Sequence, residues 1–204
     1  SSPAPPLALD IPVSAALQTP LRGTPPLRPA SRTICCRICE IVKVTFLRRI
    51  IGIDPGSLRT GYGIVDVRGN VVSPVAWGVI RLEGEASFPD RLFRIHRELS
   101  ALILLHRPTE AAVEKVFLAK NPSSALKLGQ ARGAAIVTCG IHGVAVHEYS
   151  AKEIKAAATG HGGAPKEQVA GMVARLLGIR DPIPPDASDA LATAFCRAVT
   201  RVLS

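Results

Sequence analysis

Short apolar runs bounded by turn residues recur from residue 48 onwards. Arg48–Asp54 is an Ile-rich run that ends in Asp-Pro-Gly, which is typical of a strand followed by a turn. The dipeptide Gly69-Asn70 separates two further apolar runs and predicts a hairpin turn. The predicted strands are Arg48–Asp54, Gly61–Val67, Val71–Leu82, Ala111–Phe117 and Gly143–Glu148.

Apolar residues at helical spacing follow the third strand. Within Phe88–His106 they recur three to four residues apart and stop before Pro108, which predicts an amphipathic helix. The other predicted helices are Ser123–Thr138, Ala151–Thr159, Pro165–Leu177 and Asp186–Leu203. An early antiparallel meander that leads into alternating strands and helices indicates an α/β domain, with a mixed five-stranded sheet flanked by helices.

Residues 1–47 differ from the rest of the chain. They hold eight of the 17 prolines, have no regular apolar period, and carry five basic residues against two acidic ones. Pro-rich polar sequence is typical of disorder, and an Arg-containing, acid-poor leader also fits an organellar transit peptide. A third possibility is a mis-annotated start, with Val44 marking an alternative one. We expect a disordered or mis-annotated extension over 1–47 and a folded domain over 48–204.

Composition narrows the class of partner. The formal net charge is +9 and the isoelectric point is about 9.8, which favours an anionic partner such as nucleic acid. No apolar run reaches the roughly 18 residues of a membrane span. Cys35, Cys36 and Cys39 cluster without a second Cys/His pair at zinc-site spacing, so we expect reduced thiols in a cytoplasmic protein.

Four carboxylates stand at positions where an unpaired charge is costly. Asp54 ends an Ile-rich strand, Glu114 lies inside an apolar strand, and Asp186 and Asp189 share one face of an Ala-rich helix. Converging carboxylates repel one another, and a hard cation such as Mg²⁺ relieves that repulsion. Each has a simpler explanation: a turn residue for Asp54, an ion pair for Glu114, and an N-cap and a first-turn carboxylate for the other two.

The residues around these carboxylates resemble one enzyme family. Gly52-Ile53-Asp54-Pro55-Gly56-Ser57 with Thr60-Gly61-Tyr62-Gly63 is similar to the first motif of RuvC-type Holliday-junction resolvases. The run from Val113 to Asn121 and the run from Ser124 to Gly133 resemble the second block, and Asp186–Ala192 resembles the closing helix. The first motif alone is weak, because sugar-kinase-like ATPases share it. The matches extend in order from about residue 48 to 200.

This resemblance implies a ribonuclease H-like fold and a Mg²⁺-dependent crossover junction endodeoxyribonuclease. It implies that Asp54, Glu114, Asp186 and Asp189 are the catalytic carboxylates that hold two Mg²⁺ ions per active site, with Mn²⁺ as a substitute. It also implies a homodimer that nicks two opposed strands of a four-way DNA junction and leaves 5′-phosphate and 3′-hydroxyl ends. A branch-migration motor complex is a further partner that the resemblance implies.

Candidate DNA contacts follow from the same resemblance. Lys155 and Lys166 match basic positions near the scissile phosphate, and Phe117 matches an aromatic that touches the junction near its crossover. The alternatives are solvated lysines and a core phenylalanine. Lys120, Lys127 and Arg132 extend a basic track, or are only solvated charges. The small residues of the helix Ser123–Thr138 suit either a dimer contact or packing on the chain's own sheet.

Three other functions stay open at the level of sequence. A sugar-kinase-like ATPase would need a second phosphate loop and a nucleoside pocket, neither of which is evident. A ribonuclease H-like nuclease acting on RNA and a junction-binding protein without activity are the other two. All four carboxylates are present, which favours catalysis over binding alone.

Overall fold

A computed structural model describes residues 47–115 and 122–200, all of which lie in one unit that spans Val44–Ser204. Predictions that fall on residues 1–46, 116–121 and 201–204 lie outside the described residues. They include the predicted disorder of the leader, the end of the fourth strand and the end of the last helix.

Five strands form one mixed sheet in the order β3-β2-β1-β4-β5. β1 pairs antiparallel with β2 and parallel with β4, while β2–β3 is antiparallel and β4–β5 is parallel. The strands are β1 (Arg48–Asp54), β2 (Arg59–Arg68), β3 (Val71–Arg81), β4 (Glu110–Glu114) and β5 (Ala145–Tyr149). Both parallel pairs are joined through a helix, as the chain direction requires.

Five helices cover the two faces of the sheet. They are α1 (Phe88–His106), α2 (Pro122–Ile141), α3 (Ala151–Thr159), α4 (Lys166–Leu177) and α5 (Pro185–Val199). Ser87 caps α1 and Ser150 caps α3, and each forms a reciprocal capping box with the acidic residue three positions later. The chain leaves α3 and α4 through Gly160 and Gly178, both in the left-handed conformation.

The core consists of two layers separated by the sheet. Ile51 and Ile53 of β1 face the layer formed with α1 and α2, whereas Ile50 faces the layer formed with α3, α4 and α5. This alternation is the period-two pattern of a strand buried on both faces. As a result, Gly52 and Asp54 share the face of the sheet that α5 covers.

The predicted fold is confirmed. All five strands and five helices occur where the sequence places them, with ends that differ by no more than three residues within the described ranges. Among the residues that the structure describes, no helix has the length and apolar character needed to cross a membrane.

Candidate active site

Two parallel neighbouring strands present a carboxylate at the same edge of the sheet. Ile53 of β1 pairs in register with Val113 of β4, and each is followed directly by an acidic residue, Asp54 and Glu114. Ala112 of β4 packs in the same layer as α5, so alternation places Glu114 on the α5 face as well. The sheet therefore turns both carboxylates towards the same helix.

Glycines allow α5 to approach this edge closely. A β-carbon on Gly52 would lie 2.0 Å from the carbonyl oxygen of Ala190, and one on Gly61 would lie 1.9 Å from that of Asp186. Both distances are far shorter than any real contact, so only a residue without a side chain permits this packing. The backbone of α5 consequently rests against the backbones of β1 and β2, with its first turn beside Asp54.

The first two turns of α5 carry the other two carboxylates. The helix begins at Pro185 and Pro184 occupies the N-cap, so the alternative that Asp186 is itself the N-cap is wrong. Asp186 and Asp189 are both partly exposed, whereas Ala187, Ser188 and neighbouring residues are buried. The buried face of the helix thus anchors it in the core while the acidic face lies at the open edge.

Asp54 has the most perturbed electrostatic environment of the four. Its burial, which is the largest influence, and the negative charges of Asp189, Glu114 and Asp186 together raise the pKa of the carboxyl group to about 7, against the opposing effect of Lys166. Burial likewise raises the pKa of Glu114, which Asp189 reinforces. These mutual effects show that the fold brings all four carboxylates together.

Two lysines line the same cleft. Lys166 donates from its ammonium group to Asp189 Oδ2 at 2.9 Å, and this contact raises the pKa of Lys166. Lys155 lies with Lys166, Glu114 and Asp189 along one small cavity between α3, α4 and α5. Both lysines lower the pKa of Glu114, in opposition to its burial. The structure therefore places both predicted lysines beside the carboxylates.

The donor set suits a hard divalent cation. Four carboxylates at one edge offer only oxygen ligands, and their mutual repulsion is the kind that Mg²⁺ relieves. Within residues 47–115 and 122–200, no three His, Cys, Asp or Glu side chains are already arranged to hold one ion. The ammonium group of Lys166 pairs with the carboxylate of Asp189. A cation that binds Asp189 would therefore compete with Lys166.

The remaining predicted DNA contacts have different surroundings. Lys127 is exposed on α2. Arg132 is turned inwards, where it bonds to the backbone of Glu114 and pairs with Glu148. Phe117 and Lys120 lie outside the described residues. The sequence did not reveal that Arg132 is held inside the protein, because Glu148 is distant along the chain and only the sheet brings it near.

The roles of Gly52 and Gly61 were also missed at the level of sequence, although both lie in the quoted first motif. The signal was present: a glycine two residues before a carboxylate, in a strand otherwise made of isoleucines, marks a close approach of another backbone. The partner could not be named, because α5 begins more than 120 residues later.

The sheet order, the flanking helices and the acidic edge define a protein of the ribonuclease H-like class. A sequence model of the family described as crossover junction endodeoxyribonuclease RuvC matches residues 50–197. The chain belongs to the RuvC family.

Curated relatives agree with this assignment over most of their length. A crossover junction endodeoxyribonuclease RuvC from Lawsonia intracellularis is 51% identical over 152 residues, which is 74% of this chain and 90% of that protein. One from Methylococcus capsulatus is 54% identical over 150 residues, again 74% of this chain and 90% of the relative.

Solved structures agree with the fold. Thermus thermophilus RuvC in complex with a Holliday junction substrate superimposes with a TM-score of 0.70 at 35% identity, covering 74% of this chain and 93% of that one. A yeast mitochondrial Holliday junction resolvase shares the fold, with a TM-score of 0.57 at 15% identity. The match covers 74% of this chain and 78% of the yeast protein.

Proposed function

We propose that this protein is a structure-selective endonuclease that resolves four-way (Holliday) DNA junctions during recombination and repair. One observation carries the proposal: the fold gathers Asp54, Glu114, Asp186 and Asp189 at one edge, beside two lysines, in a chain of the RuvC family. A cleft that holds both oxygen ligands and ammonium groups suits a phosphodiester, because it offers places for both cations and phosphate oxygens.

The four carboxylates would hold two Mg²⁺ ions, for which Mn²⁺ can substitute. When bound, such ions make water a stronger nucleophile and stabilise the departing 3′ oxygen. The rigid ends of β1 and β4 hold Asp54 and Glu114 in place, and α5 holds Asp186 and Asp189. Asp189 would then be shared between Lys166 and a cation, and Lys166 would be near enough to contact a phosphate oxygen of the substrate.

The reaction is a hydrolysis. A water oxygen forms a bond to phosphorus as the bond from phosphorus to the 3′ oxygen breaks; the water loses one proton and the 3′ oxygen gains one, which leaves a 5′-phosphate and a 3′-hydroxyl. Lys155 and Lys166 compensate the charge that accumulates on the phosphate oxygens. Lys127 extends the basic surface from α2, while Phe117 and Lys120 remain predicted contacts to the junction.

A homodimer would place two such sites on opposed strands of one junction. One outward face of α2 is unusually bare: Leu126, Val137 and Ile141 are 60–66% exposed, and a β-carbon on the intervening Gly129 or Gly133 would meet nothing within 4 Å. These residues fall on one stripe of the helix at its 3.6-residue period. A second copy of the chain packed there would be related by a two-fold axis, which matches the near two-fold symmetry of the substrate.

One further partner and the cellular location stay predictions of the family resemblance. A branch-migration motor would deliver the junction, and the cytoplasm would be the place of action unless residues 1–47 act as a transit peptide.

The test is cleavage of a labelled, immobile four-way junction by the full chain, beside a linear duplex of the same sequence. We expect paired, symmetric nicks in the junction alone, in the presence of Mg²⁺ or Mn²⁺, and none with a chelator. The Asp54→Asn variant should bind the junction without cutting it. Equal cutting of the linear duplex, preferential cutting of an RNA hybrid, or junction binding without cutting by the wild type would each contradict the proposal.

A further inference from the structure

Arg132 lies in the middle of α2, on the opposite side of the sheet from α5. Its side chain is only 20% exposed. The Nε atom donates to the backbone carbonyl oxygen of Glu114 at 3.1 Å, and the far end of the guanidinium pairs with Glu148 of β5. Two different elements therefore hold this arginine at the end of β4.

The carbonyl that Arg132 reaches lies at the point where β4 leaves the sheet. Pairing of β4 with β1 ends at Val113, one residue earlier. On the other side, the amide of Lys115 donates to the carbonyl oxygen of Tyr149 on β5 at 2.7 Å. The peptide group between Glu114 and Lys115 is thus fixed from two directions, by β5 through its N–H and by Arg132 through its C=O.

Fixing that peptide fixes the direction of the Glu114 side chain. Catalytic geometry is sensitive to displacements of about 1 Å, and groups that orient a metal ligand commonly matter 10- to 100-fold for metal affinity or activity. Glu114 is the last residue of β4 and lies one position beyond the pairing with β1, so these two contacts act where that pairing has ended.

We propose that Arg132 is a positioning residue for Glu114, rather than a contact to DNA phosphate. The inference rests on the proposed function, in which Glu114 is a metal ligand. The guanidinium of Arg132 has a fork of donors that reaches the backbone carbonyl oxygen of Glu114 and the carboxylate of Glu148 at once. The single ammonium of a lysine does not reproduce this pair of contacts. The pairing with Glu148 also compensates its charge within the protein, which leaves little attraction for a phosphate.

The Arg132→Lys variant separates the two roles, because it keeps the charge and loses the fork. We expect Mn²⁺ binding to the free protein, followed by electron paramagnetic resonance, to weaken about tenfold or more. The single-turnover rate of junction cleavage should fall at low Mn²⁺ and recover in part at high Mn²⁺. Junction affinity measured in Ca²⁺ should stay within about twofold, because a positioning residue does not touch DNA.

Lys127→Gln is the matched control, since Lys127 is an exposed cation on the same helix. It should leave Mn²⁺ affinity unchanged. Wild-type Mn²⁺ affinity and cleavage rate in Arg132→Lys would overturn the inference. So would an Arg132→Gln variant whose only defect is weaker junction binding with a smaller dependence on salt, since that is the behaviour of a phosphate contact.

Glu148→Gln keeps the test decisive if the Arg132 variants do not fold, which thermal melting would show. Removing the counterion leaves Arg132 less firmly held, so we expect a smaller loss of Mn²⁺ affinity. Tighter junction binding with unchanged Mn²⁺ affinity would instead mean that the released arginine contacts DNA, and would overturn the inference. If the wild type fails to cut junctions, the proposed function fails, while the Mn²⁺ comparison still decides the role of Arg132.

Discussion

At the scale of single residues, the fold places charge where solvent cannot stabilise it. Asp54 ends a strand whose preceding isoleucines are fully buried, and three other carboxylates approach it. With a pKa raised to about 7, its ionised form is costly to the folded protein at higher pH. In the proposed function, this cost in stability is what would let the site attract a cation.

Replacing Asp54 by Asn tests whether the ionised carboxylate destabilises the folded protein. At pH 8 without metal, the variant should unfold at a temperature equal to or above that of the wild type, because a charge that destabilises the native state is gone. Cleavage should fall roughly a hundredfold or more, the scale seen when one preorganised electrostatic group is removed. Calorimetric unfolding with and without Mg²⁺ provides the check: the ion should raise the wild-type midpoint more than that of the variant. A variant clearly less stable than the wild type would contradict the argument.

Glu110 shows the opposite behaviour at the other end of β4. Arg48 and Arg197 both donate to its carboxylate, at 2.5–2.9 Å, and the side chains of Glu110 and Arg197 are 14% and 8% exposed. The hydrogen bond from Arg48 is the largest influence; together with Arg197 it lowers the pKa of Glu110 to about 2. The cluster joins the first strand, the fourth strand and the last helix.

A Glu110→Gln variant should therefore be less stable, by about 3 kcal/mol, because it leaves the buried Arg197 and the half-buried Arg48 without their carboxylate. The pH dependence has a definite sign. A carboxyl group whose folded pKa is depressed stabilises the protein fully above its ordinary value near 4.5, and this contribution is lost as pH falls towards 2. Urea unfolding between pH 6 and 2.5 should show the difference between wild type and variant shrinking as the solution becomes more acidic.

Glu83→Gln is the matched control, because Glu83 pairs with Arg59 at a solvent-exposed site. Exposed pairs contribute little, so its unfolding curve should stay close to that of the wild type throughout. A difference for Glu110→Gln that did not change with pH would refute the electrostatic explanation and leave only lost packing.

At the scale of elements, the candidate site depends on how closely α5 approaches the sheet. The contact is backbone against backbone, at Gly52 of β1 and Gly61 of β2. The helix carries two of the four carboxylates, so its distance from β1 sets their distance from Asp54.

Gly52→Ala should push α5 outwards, since the new β-carbon would meet the backbone of Ala190 and Ala194. We expect a loss of stability of about 1–3 kcal/mol, the usual cost of overpacking, and a larger fall in cleavage than in junction binding. Gly171→Ala in α4 serves as the control, because its β-carbon meets nothing within 4 Å. There the better helix propensity of alanine should raise stability by up to about 1 kcal/mol. Thermal melting and single-turnover cleavage of both variants would decide; a Gly52→Ala protein with normal cleavage would disprove the link.

Elements were the level at which sequence was most informative. The run of isoleucines predicts the strand β1, because a strand buried on both faces is apolar throughout. The apolar residues three to four positions apart predict the helix α1, because a helix buried on one face repeats every 3.6 residues. The chemical types at the site were also predictable, since carboxylates in apolar segments need an explanation. What sequence could not supply was pairing across long separations: Glu110 with Arg197, Arg132 with Glu148, and Gly52 with α5. Those contacts depend on strand order, which no local pattern encodes.

At the scale of the whole molecule, the bare face of α2 bears on the proposed homodimer, and so on whether one site or two would act on a junction. Leu126, Val137 and Ile141 are apolar and solvent-exposed in the single chain. Burial of such a stripe against a second copy is favourable in proportion to its apolar area. A dimer formed there would also couple the two cleavage events, because both sites would be held on the same junction.

Ile141→Asp places a charge within that exposed apolar face, at the C-terminal end of α2. Sedimentation at several concentrations should give twice the 21.5 kDa chain mass for the wild type and the single chain mass for the variant. Leu176→Asp on α4 changes an exposed leucine away from α2 and should stay dimeric. With a cruciform plasmid, which is linearised only when both nicks fall within one binding event, the wild type should yield linear product and Ile141→Asp mainly nicked circles. An Ile141→Asp protein that remains dimeric and linearises the plasmid would place the two-fold contact on another surface.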